Sequence, residues 1–200
     1  MVARGSAVRQ DGRSASLTAP SGVAQQGLLR AALADAAVTN DTLALGEAHG
    51  TGTALGDPTE AGSVGAVLGA HGVALGLCAA KASVGHSEAP SGQVGVQRLC
   101  AALLRLGEGG NAQLRRLNPR VGEAVRGSAG GCALPTGLSA VREAGGVLLG
   151  GVSSFGYSGT IAHAVLQAAL SFSRGLSRPR IVFHRRALFW DAEDSAVVAA

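Results

Sequence analysis

Residues 43–60 read LALGEAHGTGTALGDPTE, and the pattern of this segment predicts an α/β fold. Leu43 to Ala48 is a short apolar run of the kind that forms a buried strand. The glycines that follow predict a loop over residues 49–56. A helix should start at Asp57-Pro58-Thr59-Glu60, because Asp caps, Pro takes the first helical position and Glu reaches back to the cap. We therefore predict a strand, a loop and a helix that runs to about Ala70.

A second unit of the same kind follows. Val73 to Ala79 predicts a strand, residues 81–89 a loop, and Pro90 the start of a helix that reaches about Leu106. In open α/β sheets, ligands bind outside the carboxyl ends of the strands. The loops that carry His49, Lys81 and His86 should therefore meet at one edge. Two helix N-termini at that edge favour an anion and tend to keep an imidazole neutral.

The flanking segments complete an α/β pattern. Ser21 is a candidate N-cap for a helix over Val23–Ala36. Residues 146–153 and 160–167 predict two antiparallel strands around the loop 154–159. Residues 107–144 show no strong periodicity, and Asn118-Pro119 marks a turn within them. We predict one domain over residues 1–168, with a mixed sheet and flanking helices, followed by a linker or tail over residues 169–200.

The basic residues are strongly biased toward Arg. Lys and Arg together number 17, and all except Lys81 are Arg. Arg is a planar fork that stays charged, whereas Lys is a point charge whose pKa moves on burial. A catalytic pocket uses that difference, and a solvated surface does not. The alternative is that one Lys survives by chance in an Arg-rich sequence.

Several classes of function are disfavoured by composition. The net charge of +4 and the Arg-rich tail permit nucleic-acid binding on charge alone, but there is no recognisable module and only 3% of residues are aromatic. The widely spaced Cys78, Cys100 and Cys132 form no Cys-x-x-Cys pair, so we expect neither a zinc site nor a disulfide framework. Residues 64–80 are apolar, but they are too short and too rich in glycine to span a membrane. We also find no signal peptide.

His49, His86 and Lys81 form the candidate catalytic group. Two neutral imidazoles and an ammonium donate hydrogen bonds to a developing oxyanion or enolate, and either His could instead act as a general base. The alternative is that both histidines are structural. We interpret His71 as a turn residue and His163 as a structural hydrogen-bonding residue. Cys78 lies in a predicted buried strand, which is a poor place for a nucleophilic thiolate.

The ordered motifs resemble the β-ketoacyl synthase family, and most of all the ketosynthase domains of polyketide synthases. The matching segments are residues 10–14, 17–20, 47–53, 56–61, 81–86, 118–119 and 153–160. The resemblance implies a thiolase-like layered fold made of two similar α/β halves, of which this chain resembles the C-terminal half. It also implies a homodimer when complete. The cysteine that carries the acyl chain would lie in the missing N-terminal half.

The resemblance further implies a decarboxylative Claisen condensation that uses malonyl units on the phosphopantetheine arm of an acyl carrier protein, with no tightly bound cofactor. His49 and His86 would assist decarboxylation, and Lys81 would orient or polarise the His86 side. Thr51 and Thr53 would contact phosphopantetheine. Tyr157 and Gly156 belong to a gating loop whose backbone N–H helps form the oxyanion hole.

One departure from the family pattern leaves a second interpretation open. The family usually has Asn before the last Ala-His, where this chain has Ile161. The protein could therefore be a non-catalytic fragment or pseudo-domain that acts only in protein association. In either case we expect a cytoplasmic or plastid location.

Overall fold

The computed structural model describes residues 1–12, 19–69, 74–105, 107–127, 131–141 and 147–169. The helices are α1 (Gly22–Ala36), α2 (Gly56–Val67), α3 (Lys81–Val84), α4 (Ser91–Arg105) and α5 (Pro119–Arg126). The strands are β1 (Val2–Gln10), β2 (Leu43–Glu47), β3 (Leu75–Cys78), β4 (Gly107–Glu108), β5 (Cys132–Ala133), β6 (Ser139–Ala140), β7 (Leu149–Phe155) and β8 (Thr160–Gln167). A 3-10 turn covers Asn40–Thr42.

Six of these strands form one mixed sheet in the order β1-β8-β7-β2-β3-β5. The strand β2 lies between β3 and β7 and is parallel to both. The other edge is antiparallel, because β8 pairs antiparallel with both β7 and β1. The remaining strands, β4 and β6, pair with each other. The predicted mixed sheet with flanking helices is confirmed.

The sheet is covered by apolar side chains on both faces. One cluster combines leucines of α1 and valines of α2 with sheet residues that include Val165. A second cluster combines Leu99 and Leu103 of α4 with sheet residues that include Leu166. Val165 and Leu166 are neighbours in β8, and successive side chains of a strand point to opposite faces. The helices α1 and α2 therefore lie on one face and α4 on the other.

Most of the predicted elements are present close to their predicted bounds. Helix α1 begins as expected, since the Ser21 hydroxyl accepts a hydrogen bond from the backbone N–H of Ala24 at 3.3 Å. The predicted strands β2 and β3 and the helix after Pro90 are present, and the hairpin β7–β8 surrounds the loop 156–159. Each histidine loop thus follows a strand of the parallel part of the sheet.

Several elements differ from the sequence prediction, including the short strands β4, β5 and β6 within residues 107–144. The edge strand β1 was not predicted, and a four-residue helix, α3, occupies the start of the segment expected to be a loop from residue 81. The turn expected at Asn118-Pro119 is the start of α5, where the Asn118 side chain accepts a hydrogen bond from the N–H of Arg120 at 3.0 Å. Asn118 therefore acts as an N-cap, with Pro119 in the first helical turn.

The predicted start of α2 was wrong in its details. The helix begins at Gly56, its N-cap position is Leu55, and no side chain caps it. The carboxylates of Asp57 and Glu60 instead accept hydrogen bonds from the backbone N–H groups of Gly52, His49 and Gly50. The pattern Asp-Pro-x-Glu thus holds the preceding loop rather than the helix end.

Several further predictions depend on regions that the structure describes only in part. Within the described residues, no helix has both the length and the apolar character needed to cross a membrane. His71 and the basic tail lie outside the described residues. The division into a domain over 1–168 and a tail over 169–200 stays a prediction.

Candidate active site

The two candidate histidines meet at the carboxyl ends of β2 and β3. Their ring centroids are 5.9 Å apart and their planes are almost perpendicular, at 89°. His49 follows β2, and His86 follows the short helix α3, which begins just after β3. The parallel pairing of the two strands brings both loops to one edge. The sequence predicted this meeting from the order of strands, loops and helices.

Backbone N–H groups fix the orientation of both rings. Phe155 donates its backbone N–H to Nδ1 of His49 at 3.3 Å, and Glu88 donates to Nδ1 of His86 at 3.1 Å. A ring nitrogen that accepts a hydrogen bond carries no proton, so a neutral ring with this contact is protonated on Nε2. The Phe155 ring also packs on His49, with 5.3 Å between centroids. Both histidines can thus present an Nε2–H donor.

His49 is neutral over the physiological range of pH. Burial lowers its pKa to about 4, and the electrostatic influence of Lys81 and then of His86 acts in the same direction. Burial disfavours the charged form of an imidazole, and positive neighbours act in the same direction. The expectation of a neutral imidazole therefore holds for His49, with burial as the main cause.

Lys81 is the first residue of α3 and lies within the same electrostatic cluster. Burial lowers the pKa of its ammonium group, while the carboxylates of Glu60, Glu47 and Asp57 raise it. The ammonium is thus partly removed from water and faces three acidic groups. Such a site is the kind in which a lysine titrates differently from a surface residue.

A buried carboxylate of α2 holds the His49 loop. The two oxygens of Glu60 accept the backbone N–H groups of His49 at 2.7 Å and Gly50 at 2.9 Å. Asp57 accepts the N–H of Gly52 at 3.0 Å. Burial raises the pKa of Glu60 to about 7, although these hydrogen bonds oppose the shift. Sequence reasoning assigned this residue to a helix cap and missed its part in the loop.

Gly50 is required by the shape of this loop. Its φ is +49°, in the left-handed region, and a Cβ at this position would lie 2.7 Å from the Cβ of Ala79. Any side chain here would strain the backbone and collide with the segment that leads to Lys81. The close approach of the two loops therefore depends on this glycine.

The predicted phosphopantetheine-binding residues line a cleft beside the histidines. The cleft has a volume of about 570 Å³, and its walls include His49, His86, Thr51, Thr53, Gly156 and Tyr157. The Thr53 hydroxyl accepts the N–H of Gly56 at 3.0 Å, and the side chain of Tyr157 is 84% exposed. The structure brings all these residues together, and their binding roles stay predictions.

His163 does not belong to this cluster. It is buried in β8, and its Nδ1 lies 2.9 Å from the Ser153 hydroxyl of the neighbouring strand. Burial lowers its pKa to about 4. A Cβ on Gly151 would come within 2.6 Å of its ring, so the imidazole packs tightly against β7. These contacts agree with the structural role predicted for His163.

Neither a cysteine nor a cluster of potential metal ligands is found in the described cleft that His49 and His86 share. Cys78, Cys100 and Cys132 are all absent from the lining of this cleft. Cys78 is buried in β3, and burial raises the pKa of Cys132 to about 11. No cluster of three potential metal ligands occurs in the described part of the chain. Ile161 is 1% exposed and belongs to the apolar core.

Comparisons with known proteins agree with this architecture. The family model of the β-ketoacyl synthase C-terminal domain matches residues 1–106. The chain is 43% identical over 171 residues to polyketide synthase GfsA of Streptomyces halstedii, a match covering 84% of this chain and 2% of that protein. It is 40% identical over 170 residues to erythronolide synthase EryA3 of Saccharopolyspora erythraea, covering 82% of this chain and 5% of that one.

Solved ketosynthase structures show the same fold. The oxazolomycin ketosynthase domain OzmH KS7 of Streptomyces albus JA3453 superposes with a TM-score of 0.75 at 26% identity, covering 84% of this chain and 30% of that one. Ketosynthase twelve of the bacillaene polyketide synthase of Bacillus amyloliquefaciens gives a TM-score of 0.74 at 25% identity, covering 82% and 29%. The chain thus spans less than a third of each of these structures.

Proposed function

We propose that this chain, which belongs to the β-ketoacyl synthase family as a C-terminal domain, supplies the decarboxylation half of a condensing active site. The observation that carries the proposal is the meeting of His49 and His86, each with Nδ1 occupied by a backbone N–H and Nε2–H left as a donor. Such paired donors stabilise an oxyanion in a site that excludes water.

The proposed reaction begins with a malonyl thioester. The bond from Cα to the carboxylate breaks and CO₂ leaves. The electron pair of that bond stays on Cα and forms the enolate of the acetyl thioester. The two imidazoles donate hydrogen bonds to the developing enolate oxygen, and the Lys81 ammonium adds positive charge at the edge of the cluster. The enolate carbon then attacks an acyl thioester on a cysteine, and the cysteine thiolate leaves.

The cysteine in this scheme comes from outside the cluster. No described cysteine lines the cleft of His49 and His86, and Cys78, which borders the neighbouring cavity of Lys81 and His86, is buried in β3. We assign it to an N-terminal ketosynthase half that associates with this chain. The malonyl group arrives on the phosphopantetheine arm of an acyl carrier protein, with Thr51, Thr53, Gly156 and Tyr157 along the path of the arm. The completed protein would be a homodimer in the cytoplasm or a plastid.

Reconstitution tests the proposal. We expect co-expression with a ketosynthase N-terminal half to yield a complex that releases CO₂ from malonyl carrier protein and forms a β-ketoacyl product. His49→Ala and His86→Ala should each lower the rate of CO₂ release at least about 100-fold, because each removes an oxyanion donor. An active complex whose two alanine variants keep the wild-type rate would contradict the proposed roles.

A second candidate function is favoured by the absence of a nucleophile from the cleft and by the apolar Ile161. The chain would then only associate with a ketosynthase or a carrier protein. In the same experiment, this alternative predicts a stable complex without CO₂ release. Turnover by the complex would exclude it.

A further inference from the structure

A second buried carboxylate, Glu47, lies at the carboxyl end of β2 and has no part in the chemistry above. It is 4% exposed. Its Oε1 accepts the backbone N–H of Ala80 at 2.5 Å, and its Oε2 accepts Nη1 of Arg98 at 2.5 Å. A buried carboxylate remains charged only when such partners compensate for lost water. Glu47 therefore joins β2 to the start of α3 and to α4.

Arg98 extends this bridge to another part of the chain. Its second terminal nitrogen donates to the backbone oxygen of Gly109, and to that of Gly110 at 3.4 Å. The guanidinium is planar and its donors have a fixed geometry. A single side chain of α4 thus fixes Glu47 and the segment after β4 at the same time, with 22% of its surface exposed.

The bridge ends beside both catalytic loops. Glu47 precedes His49 by two residues, and Ala80 immediately precedes Lys81. We propose that Arg98 is a positioning residue, which acts through Glu47 and the Ala80 N–H to fix the Lys81 ammonium relative to His49. The inference deepens the proposed function and rests on it for the identity of the reaction. The position of Lys81 itself can be tested on the chain alone.

The single lysine makes this test direct. Reductive methylation with ¹³C-formaldehyde labels only Lys81 and the terminal amine, and Lys81→Arg identifies the Lys81 signal by its loss. We expect Arg98→Met to move the Lys81 resonance and its pKa. Arg98→Lys would add a second labelled amine, so rescue by that variant is measured by activity. Arg105→Met is the matched control, since Arg105 ends the same helix and is exposed. It should leave the resonance unchanged.

Glu47→Gln provides a second variant that keeps the side chain's shape. Because the Glu47 carboxylate raises the pKa of Lys81, its removal should lower that pKa. If circular dichroism shows Arg98→Met to be unfolded, Glu47→Gln serves as the test of the bridge to Lys81 in its place. The inference is overturned if the folded variants melt at lower temperature but keep the wild-type Lys81 resonance and titration, since the bridge would then be structural alone.

Activity gives an independent readout in the reconstituted synthase. Arg98→Met should lower kcat for CO₂ release about 10- to 100-fold, as expected for misplaced catalytic groups, with little change in KM. Loading of the acyl chain onto the cysteine should persist, and Arg98→Lys should restore most of the rate. Unchanged kcat in Arg98→Met would overturn the inference. A wild-type complex without turnover would contradict the proposed function. The Lys81 resonance would still test the positioning role of Arg98 in that case.

Discussion

Protonation of His49 would break the contact that orients it. Its Nδ1 accepts the Phe155 N–H, so a proton on Nδ1 would place two donors against each other. Burial and the neighbouring positive charges keep this from occurring until the pH approaches the low pKa of about 4. At the scale of the residue, the same surroundings that keep the imidazole neutral also hold its donor nitrogen in a fixed position.

Gly50→Ala tests the packing between the two histidine loops. We expect it to lower the free energy of unfolding by about 2–4 kcal/mol, because the new Cβ adds a collision to the strain of a positive φ. Gly52→Ala is the matched control. Its φ is +78°, but nothing lies within 4 Å of its Cβ position, so only the backbone strain of about 1–2 kcal/mol should remain.

Urea denaturation of both variants measures these differences. Equal losses in Gly50→Ala and Gly52→Ala would contradict the close approach of Gly50 to Ala79. In that case, backbone strain alone would account for both glycines.

At the scale of elements, the sequence predicted the units that carry the histidines and missed the weaker ones. The strands β2 and β3 are short apolar runs bounded by glycine loops, so a local pattern is sufficient to identify them. The edge strand β1 is largely exposed and has no such pattern. Its Gly5 packs so closely on α1 that a Cβ would lie 2.3 Å from the Ala36 nitrogen, a constraint that only the tertiary structure reveals.

The partners of the site residues were harder to predict than the residues themselves. Asp57 and Glu60 match a helix-capping pattern, and the same acceptors also fit backbone N–H groups of a preceding loop. Glu47 stands alone in an apolar strand, and Arg98 lies more than 50 residues away, so local sequence gives no pairing between them. Unpaired charges in otherwise apolar elements are the signal that such a bridge exists.

Glu60→Gln tests how α2 holds the His49 loop. The pKa of Glu60 is raised from 4.5 to about 7, so the unfolded chain releases this proton first as the pH rises. Glu60 therefore contributes its full stability below pH 4.5, and this contribution is lost as the pH rises through 7. The wild type should lose up to about 3 kcal/mol relative to Glu60→Gln across this range. Unfolding free energies at pH 4.5 and 8 measure the change, and a constant difference would contradict it.

At the scale of the whole molecule, the partly buried His49 and the buried His163 make stability depend on pH. His49 and His163 both have pKa values lowered from 6.5 to about 4 by burial. Groups of this kind contribute stability that is full above pH 6.5 and is lost as the pH falls through 4. This pH dependence has the opposite sign to that of Glu60. The contributions of the histidines and of Glu60 must therefore be measured with separate substitutions.

We expect His163→Gln to remove about 3 kcal/mol of the stability change between pH 7 and pH 4. Ser153→Ala is the control, because it removes the hydrogen bond to His163 but leaves a buried imidazole that can titrate. It should be less stable at every pH and keep the acid dependence. An unchanged acid dependence in His163→Gln would contradict the lowered pKa, because His163 would then take up its proton at the same pH in the folded and unfolded states.

The antiparallel edge of the sheet has a consequence for how the protein is made. The first strand pairs with β8, whose Thr160 meets Gln10 across a separation of 150 residues. At ribosomal rates of about 5–20 residues per second, β1 waits roughly 8–30 s before its partner has been synthesised. Its backbone is without the β8 ladder throughout that interval. The nascent chain must therefore be kept from pairing with other emerging strands until β8 has been synthesised and the antiparallel edge can close.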